Sequence, residues 1–331
     1  MGEHCAFNGD ADGLCALQQL RLAGELAVDA RLVSGVKRDI QLLRRLRAGP
    51  GERVTVLDVA HEQNRAEVAG LLATGCRVRY FDHHFAGELP EHPAFESFID
   101  TAADVCTSLL VDRFLQGAFH RWAVVAAFGD GMVAPARALA ARHGLAESDI
   151  QRLEELGLLL NYNAYGEHLD DLHFDPLCLA AELLPYRDPL DFARHSPCFA
   201  RLQAGHAADM AAASGLRPWR SGPGARLYRL PAEPWARRAS GVLANRLAAN
   251  DPGRALGLLS PRSDGDWTFS LRVPAYAALD ADAFCRAFDS GGGRKRAAGI
   301  NRLPAGDLES FAIHLLDAYP DAVPGPVRAP T

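Results

Sequence analysis

The sequence predicts an α/β protein with a doubly wound, mainly parallel sheet in its N-terminal domain, a helical connector and a smaller α+β C-terminal domain. Apolar runs alternate with helical patterns about every 25 to 30 residues near the N-terminus, as in a parallel sheet with crossover helices. Leu- and Ala-rich helical periodicity then covers residues 134–213. Shorter strand and helix patterns follow. A chain of 331 residues is expected to form two domains.

The N-terminal sheet is predicted from short apolar runs that are bounded by turn residues. The predicted strands are 4–7, 30–36, 53–59 and 76–80, with 95–99 as a candidate fifth strand. The predicted helices begin after Gly13 and cover 39–47, 63–73, 105–115 and 122–128.

The C-terminal part is predicted to be a separate domain because of the composition of residues 217–238. This stretch carries six arginines and an internal Ser-Gly-Pro-Gly turn, which favours a linker. We therefore expect domains at 1–215 and 239–325, joined by a linker at 216–238. The predicted elements of the second domain are helices 239–249, 281–288 and 307–318 and strands 255–259 and 267–273. The Pro-rich tail is expected to be disordered.

Composition restricts the class of protein. Seven scattered cysteines without a Cys-x-x-Cys pair argue against a disulfide framework and a thiolate zinc site. No apolar stretch could span a bilayer, and the first residues do not resemble a signal peptide, so a cytoplasmic protein without a membrane partner is expected. The net charge of -6 disfavours a long nucleic-acid footprint but permits a small anionic substrate. A homo-oligomer stays open.

Acidic residues recur where the predicted strands end. Asp10 and Asp12 lie in a glycine-flanked turn after the first strand, Asp58 lies at the end of another, and Asp130 lies between two glycines. Each alone fits a plain turn or a helix cap. Together, unpaired carboxylates would repel one another, so divalent cations are the economical explanation. Two cations match the charge of these four carboxylates, and oxygen ligands with one imidazole favour Mn²⁺ or Mg²⁺.

The sequence Asp82-His83-His84 follows the predicted strand 76–80. In open α/β sheets, ligands bind at the carboxyl ends of the strands, so a site is expected here. The alternative is a turn with solvated histidines. Lys37 and Arg38, at another strand end, are candidate phosphate contacts or solvated surface residues. A polar segment at 161–168 could line the site, but we expect it to cap helices.

The motifs GDADG, VLDVAH, FDHH and FGDG, followed far downstream by GGGRKRAAG, resemble those of the DHH phosphoesterase family with its DHH-associated C-terminal domain. The resemblance covers most of the chain in the family's order. It extends to the superfamily of nanoRNases, phosphoadenosine-phosphate phosphatases and RecJ-like nucleases. It implies a two-domain, manganese-dependent hydrolase of phosphodiester or phosphomonoester bonds, with its active site in the cleft between the domains.

The resemblance also implies residue roles. Asp10 would bind one metal and Asp12 the other, and Asp58 would bridge them. His83 and Asp130 would complete the second metal site. Asp82 would orient a histidine. His84 would hydrogen-bond the substrate phosphate or assist the leaving group.

Two positions depart from the family pattern. Many relatives have a histidine ahead of the first aspartate pair, whereas this chain offers Asn8, a weak neutral ligand, and, further back, His4. The glycine-rich motif commonly ends in histidine, whereas this chain has Arg294. The amides of Gly291, Gly292 and Gly293 could still bind a phosphate, with Arg294 and Arg296 supplying positive charge.

The sequence therefore predicts a phosphoesterase that acts on small nucleotides or short oligonucleotides through water activated by two metal ions. Two alternatives stay open besides a phosphate-linked transferase. One is a non-catalytic nucleotide-binding regulatory protein on the same fold, which Asn8 and Arg294 favour. The other is a RecJ-like single-strand exonuclease, although such enzymes usually carry additional nucleic-acid-binding modules.

Overall fold

The computed structural model describes residues 2–322, and the Pro-rich tail predicted to be disordered lies largely outside them. The chain forms two compact units with their boundary between Gly205 and His206. This boundary precedes the one expected from composition, at residue 215. None of the helices within residues 2–322 has the length and apolar character needed to cross a bilayer.

The first unit is built on a five-stranded parallel sheet with the order β2-β1-β3-β4-β5, which confirms the predicted fold class. The strands are β1 (Glu3–Phe7), β2 (Arg31–Val33), β3 (Arg53–Leu57), β4 (Arg77–Asp82) and β5 (Phe95–Ile99). Residues 4–7 and 54–57 are fully or almost fully buried in these strands. Apolar runs buried on both faces are typical of parallel sheets covered by helices.

Nine helices begin in the first unit, and the predicted helical connector is confirmed. They are α1 (Ala11–Leu22), α2 (His61–Ala73), α3 (Thr107–Phe114), α4 (His120–Gly129), α5 (Val133–Arg142), α6 (Glu147–Asn163), α7 (Pro176–Leu183), α8 (Pro189–His195) and α9 (Pro197–Ala212), all within residues 2–322. Helix α9 continues across the boundary between the units.

The helix predicted at 39–47 is wrong, because this segment forms only a single 3₁₀ turn at Leu42–Arg45. Asn64 of α2 competes for its backbone groups. The Asn64 side chain accepts the Leu43 N–H at 3.3 Å and donates to the carbonyl of Ile40 at 2.7 Å. Side-chain partners of this kind offer the backbone an alternative to helical hydrogen bonds.

Close packing of α4 positions the end of that helix beside α1. A Cβ atom at Gly129 would lie 2.4 Å from the Ala11 Cβ and 2.9 Å from the Gly157 carbonyl oxygen. Only glycine allows this approach, since real Cβ atoms do not come so close. The contact brings Asp130, which follows α4, toward the start of α1.

The second unit contains a six-stranded mixed sheet with the order β10-β11-β9-β8-β7-β6. Its strands are β6 (Arg220–Ser221), β7 (Ala225–Arg229), β8 (Ala255–Pro261), β9 (Trp267–Arg272), β10 (Gly291–Arg294) and β11 (Ala297–Leu303). Its helices are α10 (Pro234–Asn250), α11 (Ala281–Cys285) and α12 (Leu308–Ala318). The smaller α+β domain is thus present.

The segment 216–238, which we expected to be a linker, instead contains β6, β7 and the start of α10. In β7, Ala225 and Leu227 are fully buried in the core of the second unit. Arg226 is partly buried and Arg229 is exposed. The arginines gave the segment a polar composition although it lies within the sheet.

Candidate metal centre

The ends of three parallel strands place the predicted site residues at one edge of the first sheet. Leu57 of β3 pairs with both Phe7 of β1 and Phe81 of β4, so these strands end at the same level. Residues that follow such ends meet at the carboxyl edge of the sheet. The structure brings together there the side chains of Asp10, Asp12, Asp58, His83, His84 and Asp130.

The first aspartate pair is fixed by helix N-termini. Asp10 caps α1, and its Oδ1 accepts the backbone N–H groups of Asp12 and Gly13, both at 3.1 Å. Asp12 is fully buried, and its two oxygens accept the N–H groups of Thr107 and Ser108 at 2.7 Å each. These donors begin α3, where unpaired N–H groups favour a negative charge. The Asp12 carboxylate is therefore held in one orientation.

Asp58 occupies a strained backbone position directly after β3. Its φ is +59°, in the left-handed region that non-glycine residues rarely adopt. Its N–H donates to the Phe81 carbonyl at 3.0 Å, and its Oδ1 accepts the Thr107 hydroxyl at 3.2 Å. Such strain costs on the order of 1 kcal/mol and persists where surrounding structure imposes it, often at functional sites.

His83 faces the carboxylates with one defined ring nitrogen. Its Nδ1 donates to the carbonyl oxygen of Val105 at 2.9 Å, which leaves Nε2 directed at the cluster. Nε2 lies 3.4 Å from an oxygen of Asp58, 3.6 Å from one of Asp130 and 4.0 Å from one of Asp12. A backbone carbonyl that fixes the tautomer in this way is typical of histidines that bind metals.

Asp82 and His84 form a second pair beside this cluster. The completely buried Asp82 accepts the backbone N–H of His83 at 2.8 Å and the Nδ1–H of His84 at 2.7 Å on one oxygen. His84 also lies 3.9 Å from Asp58, and its side chain is 45% exposed. Burial lowers the pKa of His84, but the Asp82 hydrogen bond and the Asp58 charge raise it overall. Asp82 thus orients a half-exposed histidine.

The cluster favours added positive charge. Burial raises the pKa of Asp58 well above its usual range, and the carboxylates of Asp10 and Asp12 raise it further. Burial, followed by the Asp130 charge, also raises the pKa of Asp12. Burial lowers the pKa of His83, but the hydrogen bond to Asp58 and the surrounding carboxylates outweigh this and raise it to about 10.

The donor atoms fit a divalent cation. Ligand atoms of Asp12, His83 and Asp130 lie within 4.8 Å of one another, as do those of Asp58, His83 and His84. Carboxylate oxygens with an imidazole nitrogen are suited to Mn²⁺ and related ions. Because Nδ1 of His83 keeps its proton for the Val105 carbonyl, loss of the other ring proton leaves the Nε2 lone pair free to bind a cation.

Asn8, the residue at the histidine position of the family pattern, follows β1. Its N–H donates to the Leu57 carbonyl at 3.2 Å. Its side-chain oxygen Oδ1 is buried and has no hydrogen-bond partner within residues 2–322. A buried oxygen without a donor has a free lone pair, so Asn8 is able to accept a hydrogen bond or a cation.

Lys37 reaches the same cluster. Its ammonium donates to Asp10, to Asn161 at 2.9 Å and to Asp130 at 3.4 Å. Burial lowers the pKa of Lys37, but the charges of Asp10 and Asp130 outweigh it and raise the pKa well above its usual value. The structure therefore places the Lys37 ammonium against predicted metal ligands. Arg38, predicted with it, is exposed.

Two residues near the cluster were missed by the sequence reasoning, and a third lies in a segment that was expected to cap helices. Thr107 and Ser108 anchor the aspartates, and their only signal was their position at the start of a predicted helix. The Asn161 side chain binds Lys37, so part of segment 161–168 reaches the site, as the less favoured of the two interpretations of this segment had it. Asn163 does make a local contact, donating to the Phe174 carbonyl at 2.9 Å.

The predicted phosphate-binding glycines lie in the second unit, in an antiparallel hairpin of β10 and β11. Gly293 has φ +148°, and a Cβ atom there would lie 2.4 Å from the Ala298 Cα, so glycine is required. Arg294 and Arg296, at the turn of the hairpin, are exposed. Gly291 and Gly292 are partly exposed on the edge strand of the sheet.

Comparison with known proteins gives a fold likeness. No family model and no curated protein matches the sequence. The pGpG-specific phosphodiesterase PggH from Vibrio cholerae matches with a TM-score of 0.51 and 11% identity, over 95% of this chain and 98% of PggH. CDC45 from Entamoeba histolytica matches with a TM-score of 0.49 and 9% identity, over 96% of this chain and 95% of CDC45. The chain therefore has a fold similar to that of PggH.

Proposed function

We propose that this chain is a metal-dependent phosphoesterase of the DHH type that hydrolyses phosphodiester or phosphomonoester bonds. One observation carries the proposal: the carboxylates of Asp12, Asp58 and Asp130 converge with Nε2 of His83. The fold likeness to PggH, a pGpG-specific phosphodiesterase, supports the same reaction class. Small nucleotides or short oligonucleotides are the proposed substrates.

The metal ligands are divided among several elements of the first unit. The proposed ligands of one cation position are Asp12, Asp58, His83 and Asp130, and the distances from Nε2 of His83 to the three carboxylates support this choice. Asp10 and Asn8 are the proposed ligands of a second position. When bound, two divalent cations, Mn²⁺ first and Mg²⁺ as the alternative, lower the pKa of a water molecule and offset charge on a phosphoryl oxygen. The helix α3 N–H groups keep Asp12 oriented throughout.

His84 is the proposed acid at this site. Asp82 accepts its Nδ1–H, which fixes the ring and stabilises the protonated form. The raised pKa of His84, in which the Asp82 hydrogen bond and the Asp58 charge outweigh burial, favours that form more than in a free histidine. A protonated His84 can hydrogen-bond a phosphate oxygen or give a proton to the leaving oxygen.

An aromatic residue next to the site supports a nucleotide substrate. Phe85 follows His84 directly, and it is 70% exposed although it is a large apolar side chain. An exposed aromatic ring of this kind can stack on a base. The net charge of -6 favours a small substrate over a long polynucleotide. In the second unit, the amides of Gly291–Gly293, with Arg294 and Arg296, remain proposed phosphate contacts.

Turnover in the presence of Mn²⁺ tests this function. We expect purified protein to hydrolyse dinucleotides such as pGpG or a generic phosphodiester, and we expect Asp58→Asn to lose activity while it stays folded. Asp29→Asn, at an exposed position, is the matched control and should retain full activity. Nucleotide binding without turnover would refute the proposal in favour of a regulatory protein. A strong preference for long single strands would favour the RecJ-like alternative.

A further inference from the structure

Lys37 occupies a position in the carboxylate cluster that its predicted role as a phosphate contact does not explain. Its ammonium contacts two aspartates and the Asn161 oxygen, and its backbone N–H donates to the Ala164 carbonyl at 2.9 Å. The residue is therefore anchored through both its backbone and its side chain.

We propose that the Lys37 ammonium is a built-in cation that takes the place of one divalent ion. The chain then binds one Mn²⁺ tightly and a second only when Lys37 moves away from Asp10. This inference rests on the proposed metal centre, and it concerns the number and affinity of the ions rather than the reaction.

The two oxygens of Asp130 face different partners. One lies 3.4 Å from the Lys37 ammonium, and the other lies 3.6 Å from Nε2 of His83. The ammonium and the histidine thus lie on opposite sides of one carboxylate. A carboxylate in this arrangement can bridge two cationic positions, of which Lys37 fills one.

Asp10 has little capacity left for a metal ion. Its Oδ1 accepts two backbone N–H groups, from Asp12 and Gly13. Its Oδ2 accepts the Lys37 ammonium. An ion on this side must displace the ammonium or bind beside it, and two like charges a few ångströms apart repel strongly in a buried site.

Charge balance leads to the same conclusion. The carboxylates of Asp10, Asp12, Asp58 and Asp130 carry four negative charges. One divalent ion together with Lys37 leaves a single negative charge, whereas two divalent ions together with Lys37 leave an excess positive charge. Before substrate or hydroxide binds, the first combination avoids the repulsion between a divalent ion and the ammonium.

The residue type also fits this role. Lys37 is one of only two lysines in a chain with 35 lysines and arginines combined. An ammonium is a compact point charge with three donors, which resembles a metal ion more closely than a planar guanidinium does. The three side-chain acceptors around it, on Asp10, Asp130 and Asn161, match those three donors.

Mn²⁺ binding to the full chain, stripped of metal with a chelator, tests the inference. Titration calorimetry together with electron paramagnetic resonance of free Mn²⁺ counts the ions and their affinities without substrate. We expect one tight ion and a second bound at least tenfold more weakly. In Lys37→Met and Lys37→Gln, the second affinity should rise by tenfold or more. Lys295→Met removes the other, exposed lysine and should behave as the wild type.

Two tight ions of equal affinity in the wild-type protein would overturn the inference, as would unchanged binding in a folded Lys37 variant. Lys37→Gln keeps a hydrogen-bond donor for Asp10, so this variant should fold even if Lys37→Met does not. If both variants fail to fold, the wild-type titration alone decides. A protein that binds Mn²⁺ as expected but hydrolyses nothing ends the proposed function and leaves this inference standing. A protein that hydrolyses the substrate but binds two Mn²⁺ ions equally tightly supports the proposed function and overturns this inference.

Discussion

Asp58→Asn should change stability in opposite directions with and without metal. Burial, together with the charges of Asp10 and Asp12, raises the pKa of Asp58 in the folded protein. Its ionised form therefore destabilises the metal-free fold once the pH exceeds 3.8, its unperturbed value, and this effect grows until the pH passes the raised pKa. Asparagine has no charge, so the metal-free variant should be more stable than the wild type at neutral pH.

The backbone conformation at Asp58 allows the change in the free energy of unfolding to be separated into contributions from charge, strain and hydrogen bonding. Asparagine tolerates φ +59° and can still accept the Thr107 hydroxyl, so Asp58→Asn adds no new strain. Alanine loses this hydrogen bond and fits the left-handed region less well, so Asp58→Ala should be about 1 kcal/mol less stable than Asp58→Asn. When Mn²⁺ is present at about one hundred times the Kd of the Mn²⁺ site, the free energy of unfolding of the wild-type protein should increase by about 2.7 kcal/mol.

Urea denaturation in chelator and in Mn²⁺ measures these differences. In chelator, the free energy of unfolding of the asparagine variant should exceed that of the wild type. On addition of Mn²⁺, it should increase far less than that of the wild type. Asp29→Asn should follow the wild type in both conditions, since that position is exposed. An Asp58→Asn variant that is less stable in chelator, or that gains as much from Mn²⁺ as the wild type, would refute the reasoning about the cluster.

Four further predictions concern neighbouring residues. The pKa of His83 is about 10 without metal, and its Nε2 must lose a proton to bind Mn²⁺. Mn²⁺ affinity should therefore increase about tenfold for each unit by which the pH rises toward 10; calorimetry at several pH values checks this. The protonated form of His83 also stabilises the metal-free fold below pH 6.5, and this stability should fall as the pH rises toward 10, which denaturation in chelator measures. Asp82→Asn should reduce kcat by about tenfold to a hundredfold and lower the pKa of His84, followed by NMR; an unchanged pKa contradicts the pairing. Phe85→Ala should raise KM for a dinucleotide about tenfold and leave a generic phosphodiester unaffected; equal effects on both substrates contradict stacking.

The parallel sheet was predictable because its strands are apolar runs separated by helical periodicity. Buried strands such as Arg53–Leu57 contain few polar residues, and this signal does not depend on distant contacts. Strand β7 was not predictable in the same way. Its two arginines, Arg226 and Arg229, make a strand within the sheet resemble a linker. The helix expected at 39–47 failed because Asn64, distant in sequence, binds its backbone groups.

The candidate site was predictable in its carboxylates and histidines but not in the residues that hold them. Asp12 and Asp58 were predictable because charged groups at the ends of buried strands need a partner. Thr107 and Asn161 are ordinary polar residues in sequence, and only the fold brings them to Asp58 and Lys37. The same holds for Lys37, since a charged residue after a strand gives no indication that it faces carboxylates from other elements.

Anomalous diffraction at the manganese edge, from crystals of the full chain grown with Mn²⁺, tests the central claim most directly. We predict a strong peak within bonding distance of Asp12, Asp58, Asp130 and Nε2 of His83, and a weaker or absent peak beside Asp10 and Lys37. Crystals that take up no Mn²⁺ at these residues, or peaks confined to other parts of the chain, would contradict the proposed metal centre.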